Sequence, residues 1–166
     1  MEYGRKGAHA DTCDLLSAGC FPFDFVSNPV YMRRGMVDPR DDVSEANRRY
    51  YRAFEARSVV EMADIWWRDD RAYCVHPGWP VLRGYKEIVN SYEMIFRSQE
   101  PLNFFLSEQD AIVESGVAWL TLSENLITPN GTPLAVAVTN IFCFDRRRGW
   151  LLSGHHGSQI VIGLPT

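Results

Sequence analysis

Apolar positions along this chain follow two different periods, and the change between them falls near Pro101. Before it, Val43, Ala46, Tyr50, Ala53 and Phe54 recur at helical spacing, with Arg48, Arg49, Arg52 and Glu55 on the opposite face. Asp41 and Asp42 open this stretch and suit a helix start, where negative charge opposes the dipole. Ser58-Val59-Val60-Glu61 has the form of a capping box and starts a second helix, with Val59, Met62, Ala63 and Trp66 on one face. Residues 72–76 read as a short strand that Pro77-Gly78 and Pro80 end. A third helix follows Gly84, its apolar face carrying Tyr85, Ile88, Val89, Tyr92, Ile95 and Phe96. Beyond Pro101 the period is two, and strands are predicted over 102–109, 116–127, 134–145 and 149–160. The Asn130-Gly131 step between the middle pair is a two-residue hairpin signal. Helices first and a meander after them make an α+β fold with an antiparallel sheet.

The meander is apolar on both alternations: Ala135, Ala137, Ile141 and Cys143 on one, Val136, Val138, Phe142 and Phe144 on the other. A sheet with one face in water would show polar residues at every second position. Something must cover the second face, and a two-fold copy of the same sheet is the simplest cover, so a homodimer through the sheet face is expected. Residues 1–40 have neither period, yet Phe21, Phe23 and Phe25 form an apolar patch that needs a surface to dock on, either the domain or a neighbouring chain. The division that follows is an irregular extension over 1–40, one regular domain over 41–162, and a short tail over 163–166. At 166 residues and 46% hydrophobic, the chain suffices for a single core.

A net charge of −4 gives no case for nucleic acid or an anionic membrane as partner. No apolar run approaches the roughly 18 residues that span a bilayer, and no continuous apolar segment follows the basic N-terminus. A cytoplasmic protein is expected. Arg146-Arg147-Arg148 beside Gly149 reads as a solvated hairpin turn. Cys13, Cys20, Cys74 and Cys143 have no metal-finger spacing and read as small buried hydrophobes, a Cys13–Cys20 pair being the lesser alternative.

The candidate chemistry lies in two histidine segments, Cys74-Val75-His76-Pro77-Gly78-Trp79 and Gly154-His155-His156-Gly157-Ser158. Histidine transfers protons readily near neutral pH. Successive strand side chains point to opposite faces, so only one of His155 and His156 can enter a cavity. His156, in step with Trp150, Leu152 and Ser158, is taken as the inward one, with His155 as the alternative. A zinc site needs about three convergent ligands, and here Cys74 would have to be the third, so no metal and no cofactor are expected. His76 is either a pocket-mouth residue or a turn histidine bonded to backbone carbonyls. Trp79 either stacks on a ligand or covers the end of the fold. Tyr50 sits on the apolar stripe of the first helix and Tyr51 at its edge. Asn140 interrupts an apolar run, as a satisfied amide or an orienting group. Trp66, Phe96, Trp119 and Phe142 furnish wall or core, Trp119 counting also as a ligand contact. Glu124 is assigned to the outer face of the sheet.

The segments 50–57 and 62–66, His76-Pro77-Gly78-Trp79, Gly84, and a last strand led by Trp150 and ending in His155, His156 and Ser158 together resemble the SnoaL-like branch of one superfamily. Nuclear transport factor two, ketosteroid isomerase, scytalone dehydratase and the polyketide cyclases share it. The resemblance covers about residues 43–162. It implies a cone-shaped α+β barrel, with three N-terminal helices on the concave face of a curved, mostly antiparallel sheet. It also implies an apolar pocket for a small hydrophobic molecule, and cofactor-independent isomerisation, dehydration or cyclisation by histidine acid–base chemistry. His76 and His156 would be the acid and base, Tyr51 or Asn140 would meet a developing oxyanion, and Tyr50, Trp79 and Trp119 would touch the ligand. The alternative from the same superfamily is a non-catalytic dimeric binding or association module. The catalytic residues of ketosteroid isomerase and of the related epoxide hydrolases find no matching positions, so neither activity carries over.

Overall fold

The computed structural model describes residues 38–98, 100–127 and 131–160. The expectations for the phenylalanine patch, Cys13, Cys20 and the two termini fall outside them. The first helix, α1 (Pro39–Glu55), is capped by Asp38, whose side chain accepts from the Arg40 backbone at 2.9 Å, with proline in its first turn. Ser58 caps α2 (Val59–Ile65) by accepting from the Glu61 backbone at 3.2 Å. Gly84 turns into α3 (Tyr85–Ser98) with φ of 82°, a left-handed conformation that costs glycine little.

Six strands form one sheet, the first two preceding α3 and the other four following it: β1 (Tyr73–Val75), β2 (Leu82–Arg83), β3 (Phe105–Glu114), β4 (Val117–Ile127), β5 (Pro133–Asp145) and β6 (Gly149–Gln159). Their spatial order is β2-β1-β6-β5-β4-β3. Every pairing is antiparallel except β1 with β6. β2 and β3 form the two edges without pairing to each other, so the sheet curves but does not close. Two features differ from the pattern in the sequence. The two-residue β2 lies within what reads as a loop, and β3 begins later and runs five residues further than the predicted 102–109.

The helices pack their apolar stripes on the concave face of the sheet. Val43, Tyr50, Met62, Trp66, Ile88 and Tyr92 meet Ala118, Leu120, Val136, Val138, Phe142 and Leu152 in one buried cluster. Each large side chain so removed from water contributes roughly 1.5–3 kcal/mol. The outer face is partly open: Trp119, Thr139, Ile141 and Cys143 are half-buried, and Ile112 is exposed. Among the described residues, no helix is long and apolar enough to cross a membrane.

The last strand carries the detail that fixes the site. Phe142 pairs with Leu152, but Ile141 pairs with Gly154, leaving Ser153 as an extra residue in a β-bulge. Its hydroxyl donates to the Ile141 carbonyl at 3.1 Å. A bulge of one residue reverses the alternation beyond it. Leu152 faces inward, and so does His155, opposite the inward Asn140. His156 lies opposite Thr139 and is exposed. The expected inward residue is therefore corrected from His156 to His155.

Candidate functional site

A cavity of about 200 Å³ opens between α1, α3 and the concave sheet. Its aromatic wall is Tyr50, Phe54, Trp79 and Phe104; Leu102, Leu126, Leu134 and Val136 add aliphatic surface. Two imidazoles and one carboxyl share it: His76, His155 and Glu124, which are 5%, 3% and 6% exposed.

His76 follows β1 in step with Cys74, on the same inward side. Its Nε2 lies 2.8 Å from Ser91 Oγ, and Ser91 donates its own proton to the Ile88 carbonyl at 2.7 Å. Its ring nitrogens therefore do not serve the backbone carbonyls of the Pro77-Gly78 turn. Trp79 packs edge-on against the ring at 5.2 Å, and the His155 ring lies 6.2 Å away. His155 Nδ1 lies 2.7 Å from Asn140 Oδ1, and Asn140 Nδ2 in turn donates to Asn47 Oδ1 at 2.8 Å. An amide oxygen only accepts, so His155 carries its proton on Nδ1. Burial pushes the His76 imidazole down to about 4. It pushes His155 to about 3, with the neighbouring His76 and His156 adding to the effect. Both rings are neutral at pH 7.

Glu124 comes from the inward alternation of β4, in step with Leu120, Leu122 and Leu126. It does not face outward, as its sequence context had implied. Tyr51 donates to its Oε1 at 2.7 Å. Burial drives the carboxyl up to about 7, against the lowering effect of that hydrogen bond. A carboxylic acid half-ionised at neutral pH beside two neutral imidazoles is a set able to give and take protons.

Of the remaining expected site residues, Tyr50 and Trp79 line the cavity. Tyr51 and Asn140 are buried behind Glu124 and His155: Tyr51 gives its hydrogen to Glu124, and the two amide hydrogens of Asn140 go to Asn47 and to the Tyr51 hydroxyl oxygen. That commitment removes them as donors to a ligand oxyanion. Trp119 lies on the opposite face of the sheet, across from Ile112 and Ile141, and makes no part of the cavity. His156 shares that outer face with Thr121, Ser123 and Thr139. Ser91 and Asn47 are the residues that sequence reasoning missed. Each interrupts an apolar helical stripe, Ser91 between Ile88 and Ile95 and Asn47 between Val43 and Tyr50, and that interruption is their signal. Cys74, its thiol pushed to about 12 by burial, is a poor metal ligand. Among the described residues, no group of three or more histidine, cysteine or acidic side chains gathers to hold a metal ion.

Residues 43–162 match the family model of the SnoaL-like domain. The chain belongs to the SnoaL-like family. This SnoaL-like chain is 32% identical to a Streptomyces avermitilis protein described as a candidate dehydratase of the NTF2-like family. The alignment covers 74% of this chain and 96% of that one, with a TM-score of 0.68. It is 27% identical to a Thiobacillus denitrificans protein described as a candidate calcium/calmodulin-dependent protein kinase type II association domain, over 71% of this chain and 94% of that one, with a TM-score of 0.65. It is also 25% identical over 120 residues to the F-box protein SKIP8 of Arabidopsis thaliana. That match takes in 72% of this chain, and the SnoaL-like chain spans 50% of the relative's length.

Proposed function

We propose that this SnoaL-like protein is a cofactor-independent acid–base enzyme, a dehydratase or isomerase, acting on a small, largely apolar molecule. The observation that carries this reading is the convergence of Glu124, His155 and His76 on one apolar cavity, with the carboxyl poised near neutrality. In the proposed reaction His155 Nε2 takes a proton from carbon while the Glu124 carboxyl gives one to the departing or rearranging oxygen. His76 borders the same space as a second neutral imidazole. General acid–base catalysis of this kind is worth roughly 10²–10⁴-fold in rate. The cavity is smaller than the roughly 300–1,000 Å³ of ordinary ligand sites, so the substrate is small. The likeness to the Streptomyces avermitilis protein supports the dehydratase form of the reading.

The test is turnover of a panel of compact β-hydroxy ketones and β,γ-unsaturated ketones, followed by the absorbance of the conjugated enone. Conversion should be lost by at least a hundredfold in Glu124→Gln and His155→Gln. A panel left unconverted by the native protein, or turnover untouched by both substitutions, counts against the enzyme.

A second reading draws on the outer sheet face and on the likeness to the association domain. In it the chain assembles as a homodimer through Trp119, Ile141 and Cys143, with or without catalysis. Sedimentation at micromolar concentration should then give twice the 19.0 kDa chain mass, and a single-chain species removes it.

A further inference from the structure

We infer that the cavity recognises its ligand chiefly as a hydrogen-bond donor, and that the ligand is a compact, uncharged alcohol on an apolar skeleton. The inference deepens the acid–base reading and rests on the same cavity, but it concerns which polar group binds, not whether the ligand reacts.

Each polar hydrogen around the cavity has an assignable acceptor. The His155 Nδ1 hydrogen is given to Asn140 at 2.7 Å, so Nε2 keeps a lone pair and has no protein partner. The Ser91 hydroxyl hydrogen is given to Ile88, so His76 Nε2 must donate to Ser91, and Nδ1 turns its lone pair to Cys74 Sγ at 3.7 Å. Tyr51 gives its hydrogen to Glu124 Oε1, so in the ionised form that prevails above about pH 7 Oε2 is an acceptor without a protein donor. Tyr50 and Tyr92 lie 3.1 Å apart, with Cys74 Sγ 3.8 Å beyond Tyr92. The order in which every hydrogen finds a protein acceptor runs from Tyr50 to Tyr92 to Cys74 and ends with the Cys74 thiol donating to His76 Nδ1. What remains toward the cavity is a pair of acceptors, one each from His155 and Glu124, against the indole N–H of half-buried Trp79.

A carbonyl placed there faces lone pairs, whereas a hydroxyl satisfies at least one of them. Pairing a buried acceptor is worth roughly 0.5–1.5 kcal/mol for a neutral partner and more for a charged one, and leaving it unpaired costs at least as much. The skeleton must be apolar because Phe54, Phe104 and the aliphatic wall supply nothing else. It must be uncharged because an ammonium would give up its hydration to meet a single carboxylate in an otherwise apolar cavity, where the desolvation cost exceeds the Coulombic gain.

The test is equilibrium titration of the full chain at pH 8 with 1-phenylethanol, acetophenone and 1-phenylethylamine, which share a skeleton and differ in the polar group. Binding is followed by tryptophan fluorescence, for which Trp79 is the reporter. The alcohol should bind about tenfold more tightly than the ketone. Glu124→Gln, which offers the cavity an amide N–H, should cut that ratio to about twofold or invert it. Equal or tighter binding of the ketone by the native protein, tighter binding of the amine than of the alcohol, or binding of none of the three would overturn the inference. Because the readout is binding, a protein that turns over no substrate can still prefer the alcohol, and the two readings fail separately.

Discussion

Replacing Glu124 with Gln keeps the shape of the side chain and its ability to accept from Tyr51 while removing its titration. The stability difference between native protein and variant should therefore depend on pH in a calculable way. Burial raises the carboxyl from 4.5 to about 7 in the folded protein. Between those values the folded state holds a proton that the unfolded chain has released. The stabilisation this gives is complete below pH 4.5 and is lost as pH rises through about 7. A shift of that size amounts to about 3 kcal/mol in all, at roughly 1.4 kcal/mol per pH unit. Gln escapes this loss, so its stability relative to the native protein should rise by about 2 kcal/mol between pH 5.5 and pH 8.5. Contributions from His76 and His155 are common to both proteins and cancel in the comparison. Urea unfolding at the two pH values, with midpoints read at matched slopes, gives the difference directly. A difference that stays constant, or moves toward the native protein at high pH, would refute the placement of Glu124 as a buried, near-neutral acid.

His155→Gln should behave in the opposite sense. The folded imidazole is depressed from 6.5 to about 3, so its stabilisation is present above pH 6.5 and is lost as pH falls toward 3. Thermal unfolding should show the variant gaining about 2 kcal/mol on the native protein between pH 7 and pH 5. Tyr51→Phe removes the hydrogen bond that lowers Glu124, so the pH–rate limb that this acid governs should move up by about one unit. A limb that does not move separates Glu124 from the rate. Gly154→Ala places a Cβ 2.6 Å from the Tyr73 ring and should cost about 1–3 kcal/mol in chemical denaturation. Tyr73→Ala in the same chain should restore much of that loss, and no restoration would mean that the ring is not what the methyl meets.

The helices and the meander are legible because each buries one continuous stripe, and the stripe imposes its period on the residues. Ser58 and Glu61 announce α2 by local chemistry alone. What the sequence hides is non-local. β2 has two residues and exists because β1 offers it an edge. The inward histidine is set by Ser153, and nothing in Leu152-Ser153-Gly154 says that one residue there goes unpaired. Trp119 looks like a wall residue by type, but it shares an alternation with Thr121 and Ser123 on the outer face. Glu124 was readable: it sits on the alternation of Ala118, Leu120, Leu122 and Leu126, all buried. A lone acid on an apolar alternation is a stronger sign of a buried functional group than of a partner surface.

The unpaired Ser153 also changes how this chain should be compared with its relatives. A residue without a partner across the ladder can be deleted or duplicated without moving its neighbours out of register, so the length of β6 is elastic at that point. Counting forward from Trp150 therefore mislabels the histidines by one, as a gap placed anywhere else in the strand would. The fixed reference is on the far side of the bulge, where Tyr73 pairs with Gly154 and Cys74 with His155. An alignment anchored on those two pairs carries the site from one sequence to the next, and an insertion or deletion at Ser153 can be read as neutral for the chemistry.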